Sequence, residues 1–200
     1  MIGGLNGAIC GWRGTYDWRR RGALAFLLDS TWGLLMTAAA LVTHGVAAVQ
    51  RGRGGYFDEL SHRANRHVYA AGFRLRPGFM VTMGNSVNGA GDNALTSTRR
   101  RRLVTDHENV HVWQARWFGP LYPVLYVGWT VAAGAIGAAL WAVRHRREPF
   151  GRVVETCGYY LNPFEWWAYS RGGTWPPTKK VTAVGWNRAC VRPLTSVDPP

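Results

Sequence analysis

Residues 121–143 read LYPVLYVGWTVAAGAIGAALWAV, a run without a charged side chain. At 1.5 Å rise per residue, about 20 apolar residues cross a hydrocarbon core of roughly 30 Å. The run is therefore long enough to span a membrane once. Pro123, Gly128, Gly134 and Gly137 interrupt it, and AAGAIGAA in its middle is small enough for a tight turn or close helix packing. A returning or partly embedded element is expected here over a simple span.

The rest of the chain supports a membrane setting. Hydrophobic residues make up 47% of the 200 positions and charged residues only 18%, low for a soluble protein. Eleven Trp and eight Tyr add side chains that favour places with one apolar and one wet end. The formal charge of +13 suits attraction to anionic lipid headgroups. Nucleic-acid binding is not expected, because the arginines fall in short scattered clusters (WRRRG, RGRGG, TRRRRL, RHRRE) without a recognition motif. Three cysteines at 10, 157 and 190 make neither a disulfide framework nor a zinc knuckle.

Along the chain, 1–22 is a basic, Gly- and Trp-rich segment, expected to be irregular or to lie at the membrane surface. Residues 23–50, ALAFLLDSTWGLLMTAAALVTHGVAAVQ, read as a retained membrane helix diluted by Asp29, Thr37, Thr43 and His44. A short helix is expected over 57–71, a short strand in GFMVTMGNSV, and turns at NGAGDN. Residues 103–118 read as a helix stopped by Gly119-Pro120. Domain limits follow as 51–185, including the apolar run, with a Pro-rich tail at 186–200. The larger number of arginines in the central segment leans it toward the cytoplasm.

TDHENVH at 105–111 precedes the apolar run. On a helix, His107 and His111 lie one above the other on one face, so two imidazoles can bind one Zn²⁺ without distorting the backbone. Glu108, beside the first ligand, can then act as general base toward a water on the metal. Gln114 projects near the same face, placed to hydrogen-bond a substrate or a group around the metal. The pattern alone also fits a helix whose histidines are merely hydrogen-bonded. A catalytic zinc needs a third protein ligand, and the sequence offers Glu165 in NPFEWWAY, with Glu148 and Glu155 as substitutes. Asn162 and Tyr169, in the same segment, are candidates for contacting substrate or supporting the ligands.

Together, HENVHVWQARWFGPLYPVLY and NPFEWWAYSR resemble a group of small bacterial proteins related to the gluzincin metallopeptidases. These pair an HExxHxxQ helix, followed by Arg-Trp and Gly-Pro, with an Asn-Pro-Phe-Glu-x-x-Ala segment. MVTMGNSV ahead of GDNAL looks like their preceding strand and turn, so the resemblance covers roughly 79–170. Asn109 and the extra Phe118 depart from the pattern without removing a ligand. The resemblance implies zinc on His107, His111 and Glu165, with Glu108 as base. It also implies that the 79–87 strand lies beside a peptide-binding cleft. The expected fold is mainly α: a membrane-associated helical protein with one or two transmembrane segments and a small zincin-like core carrying a short edge strand or hairpin. The expected function is zinc-dependent peptide hydrolysis at a bacterial inner membrane, with lipid, a peptide substrate and other membrane proteins as partners. The rival is a non-catalytic membrane subunit or scaffold.

Topology and metal site compete in this reading. If 121–143 crosses the bilayer once, His107 and Glu165 end on opposite sides and cannot share an ion whose bonds are about 2.0–2.2 Å. Either the run returns, or the site sits at membrane depth, or Glu165 is not a ligand. Of the remaining features, His62 and His67 are five residues apart, off the spacing for one face, and are expected to be solvated or structural. Arg99 to Arg102 are expected to be an exposed run.

Overall fold

The N-terminal segment, expected to be irregular or to lie at the membrane surface, is helical: α1 (Ile2–Trp12) runs through it and buries Asn6 and Cys10. The structure, a computed structural model, describes residues 1–19, 21–50, 55–75, 77–143 and 148–173. The arginines at 144–147, Cys190 and the tail at 186–200 thus lie outside the described residues. The chain divides into two compact units, Met1–Tyr122 and Pro123 onward.

In the first unit, the single helix expected over 23–50 is two helices. α2 (Gly22–Ser30) and α3 (Leu34–Val49) meet at 93°. Asp29 gives the physical reason. Its carboxylate is buried and takes hydrogen bonds from Arg116 Nε at 2.9 Å, Arg116 Nη2 at 2.8 Å and the Tyr16 hydroxyl at 2.8 Å. A buried charge must be paired and hydrogen-bonded, so this residue ties the bend to the protein. The Thr31 hydroxyl donates to the Leu27 carbonyl and the Thr37 hydroxyl to the Asp29 carbonyl, both at 2.6 Å, which satisfies backbone groups freed at the break.

The helix expected over 57–71 is likewise cut short. α4 (Asp58–Ser61) gives way to left-handed Arg63 and Asn65, at φ 52° and 58°, and then to β1 (His67–Tyr69). Ser61 fixes the change: its hydroxyl donates to the Phe57 carbonyl and accepts the Val68 N–H. The expected strand near 79–87 is a hairpin of β2 (Val81–Met83) and β3 (Ser86–Asn88). Its turn carries Gly84 at φ 54°, where an added Cβ would stand 2.5 Å from the Met36 carbonyl oxygen. Only glycine lets the hairpin tip pack on α3. The sheet order is β1-β3-β2, with β1 parallel and β2 antiparallel to β3, so β2 is an edge.

Above the sheet lie α5 (Thr98–Arg102), a π-helical turn at Leu103–Glu108, and α6 (Asn109–Phe118). Val68, Val87, Val104 and Val112 are fully buried between them, with Leu60, Ala90 and Ala94. Each of these valine and leucine side chains contributes about 1.5–3 kcal/mol of burial free energy. Gly119, at φ 53°, ends α6 where expected, and a Cβ there would run into the Trp32 indole. Arg99, Arg101 and Arg102 are exposed, as the sequence implies.

The second unit overturns a hairpin inside the apolar run. α7 (Leu121–Val143) is one unbroken helix. Pro123 falls in its first turn, where a missing N–H costs little. The return is made by the chain that follows, through α8 (Phe150–Glu155), a second π-helical turn at Thr156–Tyr160, and α9 (Pro163–Arg171). Trp141 Nε1 donates to the Glu148 carbonyl, and Val153 and Cys157 pack on Leu140 and Trp141. A Cβ on Gly137 would stand 2.9 Å from Cys157, and one on Gly158 would stand 2.9 Å from the Thr130 carbonyl oxygen. Asn162 then donates to the Tyr126 carbonyl. Contacts thus run back from 141 to 126 as the chain advances from 148 to 162. The small residues of AAGAIGAA serve close helix packing, not a turn. α7 is long and apolar enough to span a membrane, and only 6% of its most apolar window is buried.

Candidate metal centre

His107 and Glu108 sit on the π-helical turn and His111 on α6, so the candidate ligand pair straddles a change of helical pitch that the sequence reading missed. π-helical turns inside α-helices gather at functional sites, because the extra residue re-aims side chains. Here the two Nε2 atoms stand 3.2 Å apart, with the rings inclined at 78°. Two nitrogens bound to one tetrahedral zinc at about 2.0–2.1 Å would be about 3.3 Å apart. His111 Nδ1 lies 2.8 Å from Gln114 Oε1, a carbonyl oxygen that can only accept. That bond puts the proton on Nδ1 and the lone pair on Nε2, the atom turned toward His107. The Tyr122 hydroxyl lies 3.3 Å from the same Nδ1. Gln114, fully buried, therefore orients a histidine. Removing it by Gln114→Leu is expected to weaken metal binding 10–100-fold, read by competition with a chromophoric chelator.

Glu108 is buried, and its Oε2 accepts the Thr82 hydroxyl at 2.6 Å. Thr82 lies on edge strand β2, so the sheet holds the carboxylate's rotation. Nothing in the spacing pointed to Thr82; the only signal was that VTM precedes the hairpin glycine. Asn109, one of the departures from the resembled pattern, accepts from Arg66 Nη1 at 2.8 Å and ties the start of α6 to the chain before β1. Burial, with Arg116 nearby, brings the Arg66 guanidinium down to about 10.

In the second unit, NPFE opens α9 by local rules. Asn162 accepts the Phe164 N–H at 3.1 Å as N-cap, and Pro163 occupies the first helical position. Glu165 follows in the first turn, buried, with its Oε1 accepting the Tyr126 hydroxyl at 2.7 Å. Asn162 serves as cap and as tether to α7. Tyr169 is half-buried, with its ring centroid 6.2 Å from that of Tyr160. Glu148 pairs with Arg152 instead. A π-helical turn precedes each candidate donor segment, Leu103–Glu108 before His111 and Thr156–Tyr160 before Glu165. His107 and His111 in the first unit, and Glu165 in the second, are each buried and each carry a donor atom that could bind a metal ion.

His67 belongs to a separate buried network, as a structural histidine. Its Nδ1 lies 3.0 Å from the Tyr56 hydroxyl and its Nε2 3.1 Å from Cys10 Sγ. Burial first, then His44, Arg13 and Arg116, hold its imidazole well below the usual value. The unfolded imidazole takes a proton near pH 6.5 that the folded one refuses. Stability present above that pH is therefore lost as pH falls below it, by at most about 1.4 kcal/mol per unit from this group. Urea midpoints measured from pH 7.5 to 5 should fall less steeply in His67→Gln. Burial likewise pushes the Cys10 thiol up to about 12.

No family model, curated protein or solved structure matches the chain.

Proposed function

We propose that the protein is a membrane-associated zinc metallopeptidase of the gluzincin type, with His107, His111 and Glu165 as ligands and Glu108 as general base. One observation carries the reading: two imidazole nitrogens 3.2 Å apart, one fixed as a lone-pair donor by Gln114. A His₂Glu donor set of two nitrogens and one oxygen suits zinc and leaves a position for water. When bound, zinc supplies Lewis acidity, polarising the scissile carbonyl and acidifying water.

The chain's own residues supply the rest. Glu108, its Oε2 held by Thr82, takes the proton of the attacking water on Oε1 and passes it to the nitrogen of the leaving amine. Edge strand β2 offers backbone N–H and C=O groups to an extended peptide, which would run past the base it positions. Burial of both histidines and of both glutamates limits bulk water around these groups. α7, with its exposed apolar surface, supports a membrane location.

The test is metal content and hydrolysis in one preparation. Zinc near one equivalent is expected, with cleavage of a peptide library abolished by chelator and restored by zinc. Absence of bound metal would reduce the histidines to a hydrogen-bonded pair and sink the enzyme reading. Metal without cleavage of any peptide would favour the scaffold.

A further inference from the structure

The α2–α3 elbow has its polarity inside out. Between Gly22 and Val49 the one formally charged side chain is Asp29, and it is buried on Arg116. Thr37, Thr43 and His44 are buried too, and each has a partner: the Asp29 carbonyl, Ser86 and Tyr69. The outward positions are Leu24, Leu27, Trp32, Leu34, Leu35 and Val42, from 37% to 67% exposed. The exposed Thr31 returns its hydroxyl proton to the Leu27 carbonyl. A helix pair facing water shows the opposite pattern, with charge outward and apolar side chains inward. Polar groups turned to protein and an uncharged apolar surface turned out is the pattern that hydrocarbon imposes.

Length and flanks say how the elbow meets a bilayer. α2 is about 14 Å long and α3 about 24 Å, both short of a hydrocarbon core of roughly 30 Å. Their 93° bend keeps them from adding along one axis. Exposed Trp18 and Arg19 precede α2, the residue types that settle at headgroup level. The net charge of +13 selects anionic lipid.

We infer that the outer surface of the α2–α3 elbow is embedded in the acyl chains of an anionic bilayer, entering and leaving on the same side. The inference goes beyond the peptidase reading and stands or falls without it, since it rests on the first unit's polarity and the chain's net charge.

Site-specific probes test it on the full chain, because α7 by itself could bring the protein to a membrane. With Cys190 replaced by Ser, Leu35→Cys and Val42→Cys are labelled with an environment-sensitive fluorophore, with Thr96→Cys as exposed control. Each is reconstituted into phosphatidylcholine–phosphatidylglycerol vesicles. At 35 and 42, a blue shift and several-fold stronger quenching by acyl-chain nitroxides than at 96 are expected. An impermeant maleimide should reach Trp18→Cys and Gly55→Cys from the same side. Quenching at 35 and 42 no greater than at 96 would overturn the embedding. So would probes at 35 that cross-link between copies, showing that a second chain covers the face. Labelling of 18 and 55 from opposite sides would overturn the re-entrant path. Metal content and peptide cleavage enter none of these outcomes.

Discussion

Glu108→Gln is expected to lower peptide hydrolysis by about 10²–10⁴-fold while leaving bound zinc near one equivalent. Gln keeps the shape and can still meet the Thr82 hydroxyl, but it cannot accept the water proton at neutral pH. His111→Ala should act differently and remove metal and activity together. It takes away one of two nitrogens 3.2 Å apart and leaves Gln114 without the ring it orients. Metal analysis beside cleavage rates separates the two roles. Loss of zinc in Glu108→Gln would show Glu108 to be a ligand and overturn its assignment as base. Stoichiometric zinc retained in His111→Ala would remove that histidine from the site.

The largest stability loss is expected at Asp29. Asp29→Ala strands the Arg116 guanidinium, 1% exposed on its side chain, without its carboxylate. Breaking a buried pair from one side costs about 3–5 kcal/mol, because the remaining charge stays in low dielectric unpaired. Denaturant titration followed by tryptophan fluorescence in a fixed detergent measures it. Asp29→Leu combined with Arg116→Met should recover most of the loss, since the apolar replacements remove both charges. Arg116 lies on α6 with His111, so the single variant is also expected to bind zinc more weakly. A single-variant loss below about 1 kcal/mol, the range of exposed pairs, would show the bridge to be dispensable.

Much of the site was legible because it follows local rules. Four-residue spacing brings His107 and His111 onto one face whether the turn between them is α or π. Asn162 and Pro163 write an N-cap and a first turn into the sequence, and Gly119-Pro120 writes a stop. Asn109 and Phe118, the two departures from the resembled pattern, leave the His107 and His111 Nε2 atoms 3.2 Å apart. What escaped depends on residues far apart. Asp29 read as an impurity in a membrane helix because its partner is 87 positions away. Thr82 reads as an ordinary strand residue until the sheet brings it to Glu108.

By itself, the sequence determined a mainly helical chain, two histidines on one helix face, the stop at Gly119-Pro120 and an apolar run long enough to cross a membrane. These depend on side-chain chemistry and on periods of a few residues, which any window of the chain carries. Tertiary structure alone decided that 22–49 bends instead of running straight, because a buried carboxylate needs a guanidinium supplied by α6. It also decided that α7 stays whole and that residues 148–162 bring the chain back along it. Glycines at 137 and 158 permit that return only once two helices meet, and no single segment specifies its partner.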